Sequence, residues 1–388
     1  MEGQAIVQPV VEVKQLNAGD IVNGNGRLHG LDFVKVIATI LIVLHHYWQV
    51  HNVYIDNGIN FFNGKFYFGH LVELFFVLSG FFIFHDVGKL MQGTGFRKFF
   101  IKKYMRFQPL MLITVITFSG LAAAFEGLYQ APWSDNPIYL WGIISSAIGI
   151  QGGWALPNPC INNPIWYISV LLLCEIILYV FVGISKKHQI PLEVFYTVMI
   201  FLGMGIMEYN INLPFMNVMT CRGFYAFFWG LMLASILSKR QPSRIVAIIS
   251  GVIVVGLPFL IAFTASSFTE EGSNYLMTFI YFTAVVLVFT TKGVNWLFSS
   301  RLWEVFAEIA YNTYMWHSCV FIMAAIFFFV MNIVPDFTDI GTIVGMAAAS
   351  CVVGAISYFC IEKPMRKMVG KMIAKETGTI SDNSDSVG

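Results

Sequence analysis

Two kinds of side chain that can do chemistry interrupt one apolar stretch of this chain. Residues 31–52 read LDFVKVIATILIVLHHYWQVHN, with Lys35 near one end and His45 and His46 near the other. An ammonium holds anionic groups. An imidazole moves protons near neutral pH, or takes up an acyl group transiently. Lys35 and His46 are eleven positions apart. In a helix that is about three turns and roughly 16 Å of rise, so both can lie on one face. Ionisable groups inside an apolar helix are costly, and they face a polar cavity or a partner. The rest of the chain must supply what that pair needs.

Glu73 lies in the run VELFFVLSGFFIFHDV, at the depth of His46. A carboxylate beside an imidazole fixes its tautomer and raises its basicity; the alternative is an interfacial carboxylate touching water. Ser79 and Gly80 read as small residues that let helices approach closely. Ser79 lacks the turn chemistry of a hydrolase nucleophile. Arg222, in TCRGFYAFFWG, is a cation at an outer helix end. It suits an anionic partner or a developing oxyanion, or it snorkels. His317 lies in AEIAYNTYMWHSCVF with Glu308, and Tyr314 stands one turn before it. Asn163, Trp166 and Ser169 sit at the outer end of INNPIWYISVLLLCEIILY and are candidates, with Tyr314, for holding a substrate. Glu175, deeper in that run, should face the bundle interior.

The segment GFRKFFIKKYMRFQP interleaves Arg97, Lys98, Lys102, Lys103 and Arg106 with aromatics. It reads either as a loop lying on anionic lipid or as a platform for a polyanionic cofactor. Near the end, IEKPMRK spaces Glu362 and Arg366 at i, i+4, an ion pair at a helix end, with Pro364 marking the exit.

These groups are held by apolar elements. Of 388 residues, 57% are hydrophobic and 12% charged, against about 25% charged in soluble domains. The long, unbroken apolar runs exclude a β-barrel and give an all-α polytopic membrane protein. Runs fall at roughly 33–52, 68–87, 107–125, 164–184, 192–209, 218–237, 245–265, 274–291, 305–331 and 340–361. A weaker run at 138–150 is assigned by the distribution of Lys and Arg, which concentrate in cytoplasmic loops. Treating it as a short re-entrant or interfacial piece keeps the basic loops on one side. The expectation is about ten transmembrane helices with both termini cytoplasmic, Lys35 toward the cytoplasm and His46 toward the outer side. Residues 1–30 form a polar tail, 31–367 the membrane domain, and 368–388 a partly disordered tail. The first 27 residues are polar and the first apolar run is too long for a cleavable signal peptide. The six cysteines show no disulfide or zinc spacing, and no metal is expected.

The ordered set LDFVKVIATILIVLHH, VELFFVLSGFFI, FIKKYMRFQPL, NNPIWYISVLL, RGFYAFFWG, AYNTYMWHS and IEKPMRK resembles membrane acyltransferase family 3. That family includes bacterial O-acetyltransferases of cell-surface glycans. The likeness runs from about residue 28 to residue 367. It implies an enzyme of the cell's inner (plasma) membrane that takes an acyl group, usually acetyl, from cytosolic acetyl-CoA and delivers it to a glycan or glycolipid hydroxyl. The family's first-helix motif, Arg, ten residues, then His, falls on Lys35 and His46. Its RxxR falls on Lys103 and Arg106. Each carries one Lys for Arg, which changes the geometry available to a bidentate anion. On this reading Lys35 and the Arg97–Arg106 segment hold the acyl-CoA. His46 is the general base or acyl carrier, Glu73 orients it, and Arg222 or His317 stabilises the oxyanion or the acceptor. Membrane lipids are the other partners; no nucleic acid is expected, and the oligomeric state is left open. The rival classes are a non-catalytic component of polysaccharide export and a transporter, in which the intramembrane Lys, His and Glu form a path. The absence of inverted repeats counts against it.

Overall fold

A computed structural model describes residues 27–52, 66–133, 138–154, 161–240, 242–263 and 273–376. Most of the N-terminal tail (1–26) and the last twelve residues (377–388) lie outside the described residues. The described chain is all-α, without strands. Its helices are α1 (His29–Asn52), α2 (Leu71–Met91), α3 (Phe96–Tyr129), α4 (Leu140–Ile148), α5 (Ile165–His188) and α6 (Leu192–Glu208). There follow α7 (Val218–Lys239), α8 (Arg244–Phe263), α9 (Ser273–Phe289), a short α10 (Lys292–Leu297), α11 (Arg301–Val330), α12 (Ile340–Ser357) and α13 (Lys363–Glu376).

Each of the ten expected apolar runs falls on helix within the described residues. Among the described residues, eight helices are long and apolar enough to cross a membrane. The runs at 192–209 and 274–291 form the two shorter helices, α6 and α9, of 17 residues each. That is the lower limit for spanning a bilayer. A π-helical turn over Leu276–Tyr281 interrupts α9. The weaker run forms α4, nine residues ended by Gly149 in the left-handed region at φ 76°, where glycine is unstrained. At about 13 Å it is too short to cross. Gly142, Ser145 and Ser146 face protein, while Leu140, Trp141 and Ile144 are exposed. The basic segment, read from sequence as a loop, is instead the first three turns of α3, which runs unbroken into the apolar part. At the other end, α12 continues through a π-helical turn (Tyr358–Glu362) into α13. The expected boundary at residue 367 therefore falls inside a helix.

Two helices are central. Helix α7 packs against α2, α5 and α6, and α11 packs against α1, α3 and α12. The α2–α7 contact is made by glycine. A Cβ on Gly80 would lie 2.0 Å from the Phe227 carbonyl oxygen, and one on Gly230 would lie 2.0 Å from that of Val77. Each glycine thus receives the other helix's backbone. Asn217 caps α7 by accepting from the backbone N–H of Met219 and Thr220, while the Thr220 hydroxyl accepts from the Asn217 N–H, a capping box. Helix α8 is peripheral: of its residues only Ser250 and Ile261 are buried. Its exposed Ile248, Val252, Val255 and Phe259 suit hydrocarbon as solvent.

Candidate active site

The basic end of the bundle is tied together by a residue that the sequence reading passed over. Asp32, in the first turn of α1, is 3% exposed. Its carboxylate lies 2.5 Å from Arg27 and 3.5 Å from the Lys35 ammonium. Arg27 also lies 3.7 Å from Glu304 and 3.8 Å from Glu308 on α11. Lys35, partly exposed, stands 4.0 Å from the centre of the Phe82 ring. The only local signal for Asp32 was its i, i+3 spacing to Lys35.

Lys35 opens onto a cavity of about 380 Å³ between α1, α2, α3, α5 and α11. Small-molecule sites typically begin at about 300 Å³. Lys103 and Arg106 line it with Lys35. Lys103 is paired with Asp86 at 2.9 Å. Arg97, Lys98 and Lys102 are exposed on α3 and do not reach the cavity. The wall is mostly aromatic and aliphatic, with the Ser79 and Tyr167 hydroxyls bonded to each other at 2.8 Å. Glu175 lines it too. Tyr314 completes the wall, its hydroxyl donating to the Pro164 carbonyl at 2.9 Å.

One turn beyond Tyr314 the two histidine sites meet. The His46 and His317 rings are 4.9 Å apart between centroids, and His317 is fully buried. His317 Nδ1 is 2.6 Å from the Tyr314 carbonyl oxygen. A carbonyl only accepts, so Nδ1 carries the proton and Nε2 presents a lone pair. Among the described residues Nε2 has no hydrogen-bond partner, nor has His46 Nδ1. Neutral His317 can therefore accept a hydrogen bond at Nε2. That geometry suits a hydroxyl of an acceptor; the sequence leaves His317 two tasks, stabilising an oxyanion or the acceptor. By helical rise, His46 and His317 both lie roughly 25 Å from the starts of α1 and α11. His45, beside His46, packs on the Tyr67 ring at 4.9 Å. His70, which the sequence reading did not single out, is 2.8 Å from the Ser273 hydroxyl. It lines a second, apolar cavity of about 240 Å³ between α1, α8 and α9.

Glu73 does not orient His46. Its carboxylate, 0% exposed, accepts from Arg222 Nε at 2.6 Å and Nη2 at 2.7 Å, and from the Tyr225 hydroxyl at 2.9 Å. Arg222 Nη2 also donates to the Gly69 carbonyl at 2.8 Å. The Trp166 ring lies under the guanidinium, with the ring centre 5.0 Å away. The anionic partner sought for Arg222 is thus Glu73, held bidentately, and Trp166 supports this pair. Ser169 bonds the backbone of Gly152, so it shapes the 150–154 turn. Asn163 is exposed; the neighbouring Asn162 is the buried amide, donating to the Met315 carbonyl at 3.0 Å. Glu362 pairs with Arg366 at 3.6 Å as expected, and also accepts from the Asn312 amide on α11.

A family model, acyltransferase family 3, described as an acyltransferase domain, matches residues 28–362. No curated protein and no solved structure matches the chain.

Proposed function

The chain belongs to acyltransferase family 3, and from that premise we propose that it moves an acetyl or other short acyl group from acyl-CoA to a hydroxyl of a cell-surface or lipid-linked glycan. One arrangement carries this reading. A cavity with Lys35, Lys103 and Arg106 in its wall extends to Tyr314, one turn short of the His46–His317 pair. Cations are what a phosphorylated donor needs. A pair of histidines, each with one ring nitrogen unclaimed among the described residues, is what an attacking hydroxyl needs. On this reading the basic side is cytosolic, the membrane is the plasma membrane, and the acceptor approaches from the side of His45 and His70.

The hydroxyl oxygen attacks the thioester carbonyl, forming the ester C–O bond as the C–S bond breaks. Its proton passes to the histidine pair and from there to the departing thiolate, so free CoA thiol leaves. His46 takes the proton, and His317 Nε2 accepts a hydrogen bond from a neighbouring hydroxyl of the sugar and so aligns it. Glu73 and Arg222 neutralise one another and hold α2 against α7 beside this pair. The test is transfer of labelled acetyl from acetyl-CoA by purified protein in lipid nanodiscs, with glycolipid as acceptor. Thiol release and labelled ester should appear together. His46→Ala should lower turnover by roughly 10²–10⁴ while CoA still binds. Release-free movement of label across a sealed bilayer would instead support a transporter, and would sink the reading.

A further inference from the structure

One group in the donor cavity has no task in this scheme. Glu175, on α5, is 5% exposed and lines the cavity, and its Oε2 is buried with no hydrogen-bond partner among the described residues. An unpaired buried carboxylate oxygen is costly, and native proteins keep such groups where a ligand satisfies them. Glu175 is the one carboxylate among the residues lining the cavity, and a carboxylate is a stronger acceptor than the hydroxyls around it. Lys35, Lys103 and Arg106 only donate. The hydroxyls of Thr39, Ser79, Tyr167, Tyr311 and Tyr314 are already hydrogen-bonded within the protein, and the remaining wall is Phe, Leu, Ile and Ala. A ligand that satisfies this cavity therefore has two parts: an anionic part for the cations, and a less polar arm carrying an N–H donor.

We propose that Glu175 is the binding residue for an amide N–H on the arm of the thioester donor, so that the cavity selects an amide-bearing arm and not merely a phosphorylated head. The inference rests on the acyl-CoA reading above. Pantetheine fits the description, being a narrow, largely apolar chain with two secondary amides. No bond to Glu175 is made or broken in the reaction; its contribution is to hold the arm in line with Tyr314 and the histidines.

The test compares two ligands on wild type, Glu175→Leu and Glu175→Gln in nanodiscs, by equilibrium binding. The first ligand is CoA. The second is 3′-phosphoadenosine 5′-diphosphate, which keeps the phosphates and lacks the arm. Wild type should bind CoA more tightly than the armless nucleotide. Glu175→Leu should weaken CoA binding roughly ten- to hundredfold, the usual range for a hydrogen bond to a charged group, and leave the nucleotide unchanged. Glu175→Gln keeps a carbonyl acceptor and should stay within a few fold of wild type. If Glu175→Leu binds both ligands as wild type does, or loses both equally, the inference is overturned while the donor reading stands. If wild type binds neither ligand, the donor reading fails and takes this inference with it.

Discussion

At the scale of single residues, the chemistry divides between groups whose partners lie within the protein and groups left open. Glu73 and Arg222 belong to the first kind. They are 149 positions apart, so no local spacing could pair them, and each looked like a reacting group in isolation. Lys35 and His46 were legible because one helix carries both and its period fixes their relative depth. His317 was legible as a titratable group in an apolar run, but its tautomer was not, since that depends on the Tyr314 carbonyl. The pairing makes a stability prediction. Arg222→Met leaves a buried carboxylate with only Tyr225, and breaking a buried pair costs about 3–5 kcal/mol. The melting temperature in detergent should fall by several degrees. Glu73→Leu combined with Arg222→Met removes both charges and should recover much of that loss. A double variant less stable than Arg222→Met alone would mean that the two residues do not act as a pair.

At the scale of elements, apolar run length reported the helices well, because each run must satisfy its own backbone hydrogen bonds in hydrocarbon. It reported their joints poorly. The charges of FRKFFIKKYMRF suggested a loop, yet charge does not oppose a helix, and Gly95 simply starts α3 upstream of them. The small pair Ser79–Gly80 was read as a helix contact, and Gly80 is one, although its partner Gly230 could be found only in three dimensions. This joint carries the site, because Glu73 and Arg222 face each other across the same two helices. Gly80→Ala places a methyl against the Phe227 carbonyl, which cannot rotate away as a side chain would. The helices must part, at a cost of about 1–3 kcal/mol or more. Folded yield and transfer activity should both drop. Gly88 lies on the same helix with nothing within 4 Å of its Cβ position, so Gly88→Ala should match wild type on both measures. Equal behaviour of the two variants would show that α2 and α7 are not locked by glycine.

At the scale of the whole molecule, what matters is a direction. Arg27, Lys35, Lys103, Arg106 and Arg366 gather toward one end of the bundle, where Asp32, Asp86 and Glu362 partner four of them. The histidine pair lies further along α1 and α11, past Tyr314. The Lys and Arg pattern gave this direction in the sequence, since basic residues mark one side of a membrane protein. The cavity between the two groups could not be read there, because five helices distant in the chain enclose it. On the proposed function, a donor held at the basic end and an acceptor met at the histidines need not share a compartment. Sealed proteoliposomes test this, since acetyl-CoA does not cross a bilayer. Gln92, exposed where α2 turns into α3, marks the basic side: Gln92→Cys reports orientation through its reaction with an impermeant maleimide. Acetyl-CoA supplied on the face where that cysteine reacts should support ester formation on glycolipid whose sugar lies on the opposite face. Acetyl-CoA supplied on the other face should support none. Transfer that demands donor and sugar on the same face would mean that the histidine pair is reached from the basic end, and that the acyl group does not cross.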